Sequence, residues 1–341
     1  MKKPGQTEKI VTLNLILVLL MAALFLISVS IGRYSISIPD ILNVLLGQTE
    51  DMSKTIVSIL INSRIPRAVG AMLVGMALSA SGAAYQSVFR NPMATPDILG
   101  AASGAACGAA AGILLSLSDL GVQLTAFLMG LLAVFLTYTI SKIVGRGQGT
   151  VIFLILVGMV VSALFNAVIS ITKYFADIDN QLPAITFWLM GGLTDLTRKD
   201  LIVVIPIILA GIILMNFLRW KLNLLSFSDE EAMAMGVDVQ RMRRIIISIA
   251  TFTCSAAISI CGLVGWVGIV VPHCARLLVG PNYQRLLPVA TLLGGIYMML
   301  IDDLARTLLI VEIPLGILTA LIGAPVFIYL LFSGDFLGGQ E

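Results

Sequence analysis

Long apolar stretches alternate with short polar breaks along this chain, at intervals that suit a lipid bilayer. Apolar runs occupy about residues 10–31, 64–89, 100–116, 122–143, 151–172, 200–218, 245–262, 262–276 and 286–301, and a last one begins at Pro314. A helix needs roughly 20 apolar residues to cross the hydrocarbon core, so the pattern predicts about ten spans, some of them short. The first run is too long for the core of a cleaved signal peptide and reads as an anchored helix. Lys2, Lys3 and Lys9 precede it and hold the N-terminus on the inner side, and ten crossings return the C-terminus there. Ser37-Ile-Pro-Asp starts a short amphipathic helix that ends near Gly47 and lies along the outer interface.

The runs are rich in small residues. Gly70, Gly75, Ser79, Gly82 and Ala83 stud the second span and allow close helix approach. Gly100, Gly104, Gly108 and Gly112 recur every four residues, which makes a packing seam; without a preceding strand or a following Gly-Lys-Ser they do not form a phosphate loop. Arg90 to Pro96 breaks the chain with two prolines at the inner side. Pro272 interrupts the eighth span. Between the fifth and sixth spans, an outer segment from Lys173 to Thr197 carries Trp188, suited to the interface.

Two groups of polar residues stand out. Arg64 and Arg67 sit at the outer mouth of the second span, and Arg306 falls in an outer loop near the end. Cations are disfavoured on that side, so these three either meet an anionic partner or snorkel and pair with Asp302, Asp303 or Glu312. The second group is the longest polar interruption, Ser226 to Arg244. Ser228 followed by Glu231 is a capping box, and Gly236 is placed as a left-handed stop. The expected helix, Asp229 to Met235, is about 10 Å long and too short to stand alone in water, so it lies at a membrane face with tertiary support.

Composition agrees with an all-α polytopic membrane protein of about ten transmembrane helices, with short interfacial helices and residues 1–341 as a single transmembrane unit. Hydrophobic residues make up 58% and charged residues 12%, far below the ~25% charged of soluble chains, and the mean hydropathy is +1.02. A single histidine and dispersed carboxylates argue against a metal or acid–base catalytic centre. Cys107, Cys254, Cys261 and Cys274 all fall in apolar segments and read as small buried hydrophobes.

Several motifs, in order along almost the whole chain, resemble one family. They are Arg64-x-Pro-Arg67; Gln86-x-x-x-Arg90-Asn91-Pro92-Met93-Ala94-x-Pro96-x-x-Leu99-Gly100; Trp188-x-x-Gly191; Glu231-Ala232-Met233-Ala234-Met235-Gly236; Gly262-x-x-Gly265-x-x-Gly268 with Pro272-His273-x-x-Arg276; Asp302-x-x-Ala305-Arg306; and Glu312-Ile-Pro-Leu-Gly316 with Gly323-Ala-Pro325. The chain is similar to the FecCD/BtuC-type permeases of ABC importers for ferric siderophores, haem and cobalamin. It departs from them at Trp266, where members usually carry Phe, and in the glycine-rich inner loop 145–150.

The resemblance implies a permease subunit in a bacterial cytoplasmic membrane, both termini cytoplasmic, paired with an identical or paralogous second permease subunit. It implies that cytoplasmic ABC ATPase subunits dock on Ser228, Glu230, Glu231, Ala232, Met235, Gly236 and Val237. An extracytoplasmic substrate-binding protein would meet Arg64, Arg67 and Arg306 through its glutamates. Asn91 and Met93 would form the inner gate, and Asn166 would line the pathway. ATP and Mg would be used by the partner ATPase, with no cofactor bound by this chain, no covalent chemistry in it and no nucleic-acid partner. The expected cargo is a ferric siderophore or similar metal chelate, with haem, cobalamin or molybdate as alternatives. An ion-coupled secondary transporter also uses broken helices, but it needs ionisable groups at mid-membrane, and the acids here fall at span ends or in loops.

Overall fold

The computed structural model describes residues 4–32, 34, 36–49, 52–145 and 151–332. Lys2 and Lys3, most of the expected glycine-rich loop (146–150) and the acidic tail lie outside the described residues. The chain folds into helices α1 (Pro4–Ser30), α2 (Ile38–Leu45), α3 (Lys54–Ile59), α4 (Ile65–Phe89), α5 (Ala101–Leu114), α6 (Asp119–Val144), α7 (Val151–Phe175) and α8 (Gln181–Met190). There follow α9 (Arg198–Phe217), α10 (Arg219–Leu225), α11 (Asp229–Ala234), α12 (Val239–Cys261), α13 (Val267–Val279), α14 (Tyr283–Thr307) and α15 (Leu315–Phe332). Among the described residues, seven helices are long and apolar enough to span a membrane, and three shorter apolar ones begin at Ala101, Val267 and Leu315. Together they make ten apolar helices, the number of spans expected, seven of them of full spanning length.

The second span differs from its expected form. It begins at Lys54, not Arg64, because α3 runs into α4 through a π turn at Leu60–Arg64. Pro66 explains the turn: its ring lacks an N–H and crowds the preceding carbonyls, and a wider i→i+5 turn absorbs both defects without breaking the rod. Pro272 likewise does not interrupt α13, which continues to Val279. The helices α8 and α10 were not expected. Trp188, expected at the interface, is half-buried on α8 and packs against Ala106, Cys107 and Ile169. The helix α14 continues to Thr307, so Arg306 belongs to a helix and not to a loop.

The core is built around α4, which packs against α14, α12, α13 and α9. It lies antiparallel to α14 in one continuous register: Arg67 faces Asp302, Gly75 faces Gly294, and Ser79 donates to the Ala290 carbonyl at 2.6 Å. At Gly75 an added Cβ would fall 2.0 Å from the Gly294 carbonyl oxygen, so only glycine lets the two backbones touch. The glycine ladder of α5 does the same against α6, where a Cβ at Gly108 would sit 2.2 Å from the Thr125 carbonyl. By contrast α1, α6 and α7 keep broad apolar faces outward, including Leu19, Leu128, Met159 and Leu164. Such faces suit lipid or a second membrane subunit.

Candidate functional site

The polar interruption folds as expected and is closed at both ends. The Ser228 hydroxyl accepts from the Glu231 amide at 3.2 Å, and the Glu231 carboxylate accepts from the Ser228 amide at 2.9 Å and from its hydroxyl at 2.8 Å. These bonds hold the Glu231 carboxyl below its usual range. Three acids in the first turn, Asp229, Glu230 and Glu231, complement the positive helix end. At the far end Gly236 takes φ +80, its amide reaches the Met233 carbonyl and the Val237 amide reaches that of Ala232. That is a Schellman stop. Ala232 and Val237 are buried beneath the helix and anchor it. The outward surface is Glu230, Glu231, Met233, Met235 and Gly236, with Met233 57% and Met235 48% exposed.

A charged contact that sequence reading missed also joins this helix to the rest of the fold. Asp229 is bridged by Arg90 at 3.1 Å and by Arg243 of α12 at 3.1 Å. Arg90 also donates to the Phe227 carbonyl at 3.2 Å. Arg90 terminates α4 in the left-handed region at φ 50, a conformation that costs a non-glycine residue of order 1 kcal/mol. The terminus of the central helix is thereby tied to the first turn of α11.

The loop after Arg90 holds the expected gate residues. The Asn91 side chain accepts from the Met93 amide at 2.9 Å, which stiffens the turn, and Met93 is exposed. A 3-10 turn, Pro96–Leu99, follows and ends at Gly100 with φ +85. It lies on α7 at Gly158, where an added Cβ would come 2.0 Å from the Ile98 carbonyl oxygen. Asn166 is exposed further along α7, between apolar residues.

Gln86, one turn before Arg90, has a role that the prolines hide. Pro272 has no N–H for the carbonyl four residues back, Gly268. The Gln86 amide donates to that carbonyl at 3.2 Å, while its oxygen accepts from Arg276 at 2.8 Å. The signal was present as a proline and a glycine four apart, but the donor lies 182 residues away in sequence.

The three outer arginines are not free. Arg67 meets Asp302 at 3.0 Å and Glu312 at 2.9 Å, and Arg306 pairs with Asp302 at 3.2 Å and also with Asp303. Arg64 donates to the carbonyls of Val29 at 3.0 Å and Ser30 at 2.7 Å, and to that of Tyr34. Of the two explanations for cations on this side, pairing with Asp302, Asp303 and Glu312 holds for Arg67 and Arg306. The cause is the extra length of α14, which carries both aspartates into the bundle. Arg67 and Arg90 lie 23 residues apart on α4, roughly 35 Å at 1.5 Å per residue, so the arginine cluster and α11 occupy opposite ends of the fold.

The described residues contain no group of three potential metal ligands, and the four cysteines are free thiols, three of them buried. Comparison with known proteins fits this arrangement. The model of the FecCD transport family matches residues 19–333. The molybdate import system permease protein MolB of Haemophilus influenzae is 39% identical over 320 residues, 93% of this chain and 94% of that one. The cobalamin import system permease protein BtuC of Halobacterium salinarum is 40% identical over 269 residues, 79% of this chain and 72% of that one. A solved ABC transporter assigned to the metal-chelate type, in an inward-facing conformation, superposes with a TM-score of 0.85 at 36% identity. That match covers 94% of this chain and 99% of the other.

Proposed function

This chain belongs to the FecCD transport family, as a membrane-spanning permease subunit of an ABC importer, and from that premise we propose how it moves its cargo. A cytoplasmic ATPase seats Met233 of α11 and Met235 at its C-cap in a groove on its surface. When ATP draws two ATPases together, α11 moves as a rigid body. Asp229 hands the displacement to Arg90, and thus to the loop of Asn91 and Met93, which rests on α7. A second permease subunit, identical or paralogous, supplies the opposite wall of the pathway, with Asn166 on the facing surface. ATP and Mg serve the ATPase; this chain binds no cofactor and performs no bond chemistry. The end bearing α11 and both termini face the cytoplasm, and residues 1–341 act as one transmembrane unit.

The observation that carries this reading is a two-turn helix capped at both ends, with two methionines outward and a charged tie inward. The test is to replace Met233 and Met235 with aspartate together. Both are exposed, so folding and membrane insertion should be unchanged. Loss of two central apolar contacts of about 1–2 kcal/mol each should reduce co-purification of the ATPase by at least about tenfold. ATPase retained at the level of the unsubstituted protein would overturn the reading.

On the outer face we place the substrate-binding protein over the arginine cluster. Glu312 exposes 36% of its side chain, so an incoming carboxylate can compete with it for Arg67, whereas Asp302 at 0% is out of reach. Arg64 and Arg306 then support the surface more than they touch the partner. The cargo we favour is a ferric siderophore or similar chelate, in keeping with the metal-chelate transporter that superposes on this fold. Molybdate is the second reading, because the molybdate permease matches over 93% of the chain. Uptake of iron chelate against molybdate by reconstituted importer separates the two. Uptake without ATP would instead revive an ion-coupled transporter.

A further inference from the structure

Beside α11, at the same end of the fold, lies a polar recess that the coupling mechanism does not use. The last turns of α6 meet the first turns of α7 and α12 there, and Tyr138, Lys142, Gln240, Arg243 and Arg244 line a cavity of about 80 Å3. That is several times the roughly 10–15 Å3 that one water needs on the same measure, enough for a tetrahedral anion. Three cations converge on it. Arg243 is engaged with Asp229, but Lys142 and Arg244 are exposed and have no ion-pair partner among the described residues. Like charges so placed repel unless an anion joins them. The Tyr138 hydroxyl and the Gln240 amide can add neutral hydrogen bonds.

The helix ends that carry the recess indicate the source of that anion. Ile143 is 72%, Val144 54% and Ile152 62% exposed on the ends of α6 and α7. A basic recess between the ends of membrane-spanning helices whose outer sides are aliphatic matches a molecule with a charged head and oily tails. We propose that this recess binds the phosphate of an anionic phospholipid, its head held by Lys142, Arg244 and Arg243 and its acyl chains lying along α6 and α7. Because Arg243 also holds Asp229, the lipid head shares a side chain with the tie between α11 and α4. The inference rests on the importer reading only in placing this end of the fold in the cytoplasmic leaflet.

The test uses the full-length permease with its ATPase, delipidated in neutral detergent and offered phosphatidylglycerol, phosphatidylcholine or inorganic phosphate. Bound lipid is read by native mass spectrometry, and ATPase co-purification is recorded on the same samples. Phosphatidylglycerol should be retained over phosphatidylcholine. Lys142→Gln with Arg244→Gln should weaken its retention about 25-fold, from two charges at roughly fivefold each. Arg241→Gln, an exposed cation outside the recess, should not. Lys142→Arg with Arg244→Lys keeps both charges and should keep the lipid, which separates charge from any general effect on folding. Equal retention by the double glutamine variant overturns the proposal, as does displacement of the lipid by millimolar inorganic phosphate. Loss of ATPase binding with lipid retention intact would count against the importer reading alone.

Discussion

Asp302→Ala should cost the fold about 3 kcal/mol and lower its thermal midpoint more than any other single change in the outer cluster. Asp302 is fully buried and receives Arg67 through Nε and Nη2, both at 3.0 Å, as well as Arg306 at 3.2 Å. Breaking a buried pair typically costs about 3–5 kcal/mol, because the surviving charge loses its partner without regaining water. The lower figure applies because Arg67 keeps Glu312 and Arg306 keeps Asp303. Glu312→Ala is the comparison: its carboxylate is partly in water, so its loss should cost about 1 kcal/mol or less. Unfolding in detergent followed for both variants checks the order. Equal losses would mean that water reaches Asp302 and that the cluster is not a closed network.

The opposite pattern is expected at the inner end. Arg90→Gln should leave stability nearly unchanged, since its bridge to Asp229 is 35% and 43% exposed and such bridges contribute roughly 0–1 kcal/mol. Asp229→Asn should cost more, because it also takes a charged partner from the buried Arg243. Transport per ATP hydrolysed should nevertheless fall by roughly 2- to 30-fold, the range that 0.5–2 kcal/mol of lost coupling allows. The double variant should do no worse than the more severe single one, because both remove one link. Reconstituted uptake measured beside ATP hydrolysis gives the ratio. Uptake that tracks hydrolysis unchanged in both variants would exclude Arg90–Asp229 as the route.

Local features were legible in the sequence wherever one residue and its near neighbours decide them. Ser228, Glu231 and Gly236 act within a single turn, so the capped helix was predicted to within a residue. The Gly104–Gly108–Gly112 seam was readable because helical periodicity alone puts those residues on one face. What escaped depended on distance. Nothing near Gln86 shows that its amide completes a helix disrupted by Pro272, and nothing near Asp229 points to Arg90. The three arginines were judged by the side of the membrane they occupy, and two explanations were open. The burial of Asp302, which depends on α14 running to Thr307, decided in favour of internal pairing. Apolar periodicity stops at Ile301, so that last stretch of helix was invisible to it.

The register shared by α4 and α14 has a mechanical consequence. The two rods touch at Gly75–Gly294 and are pinned again at Arg67–Asp302, eight positions away on each helix, about 12 Å at 1.5 Å per residue. Two fixed points leave no freedom to scissor. A relative tilt of about 5° about the glycine contact would open the ion pair by roughly 1 Å, enough to forfeit its hydrogen bonds. On the proposed mechanism, force entering at Arg90 would carry α14 along with α4, so that both mouths of the passage answer to one stroke.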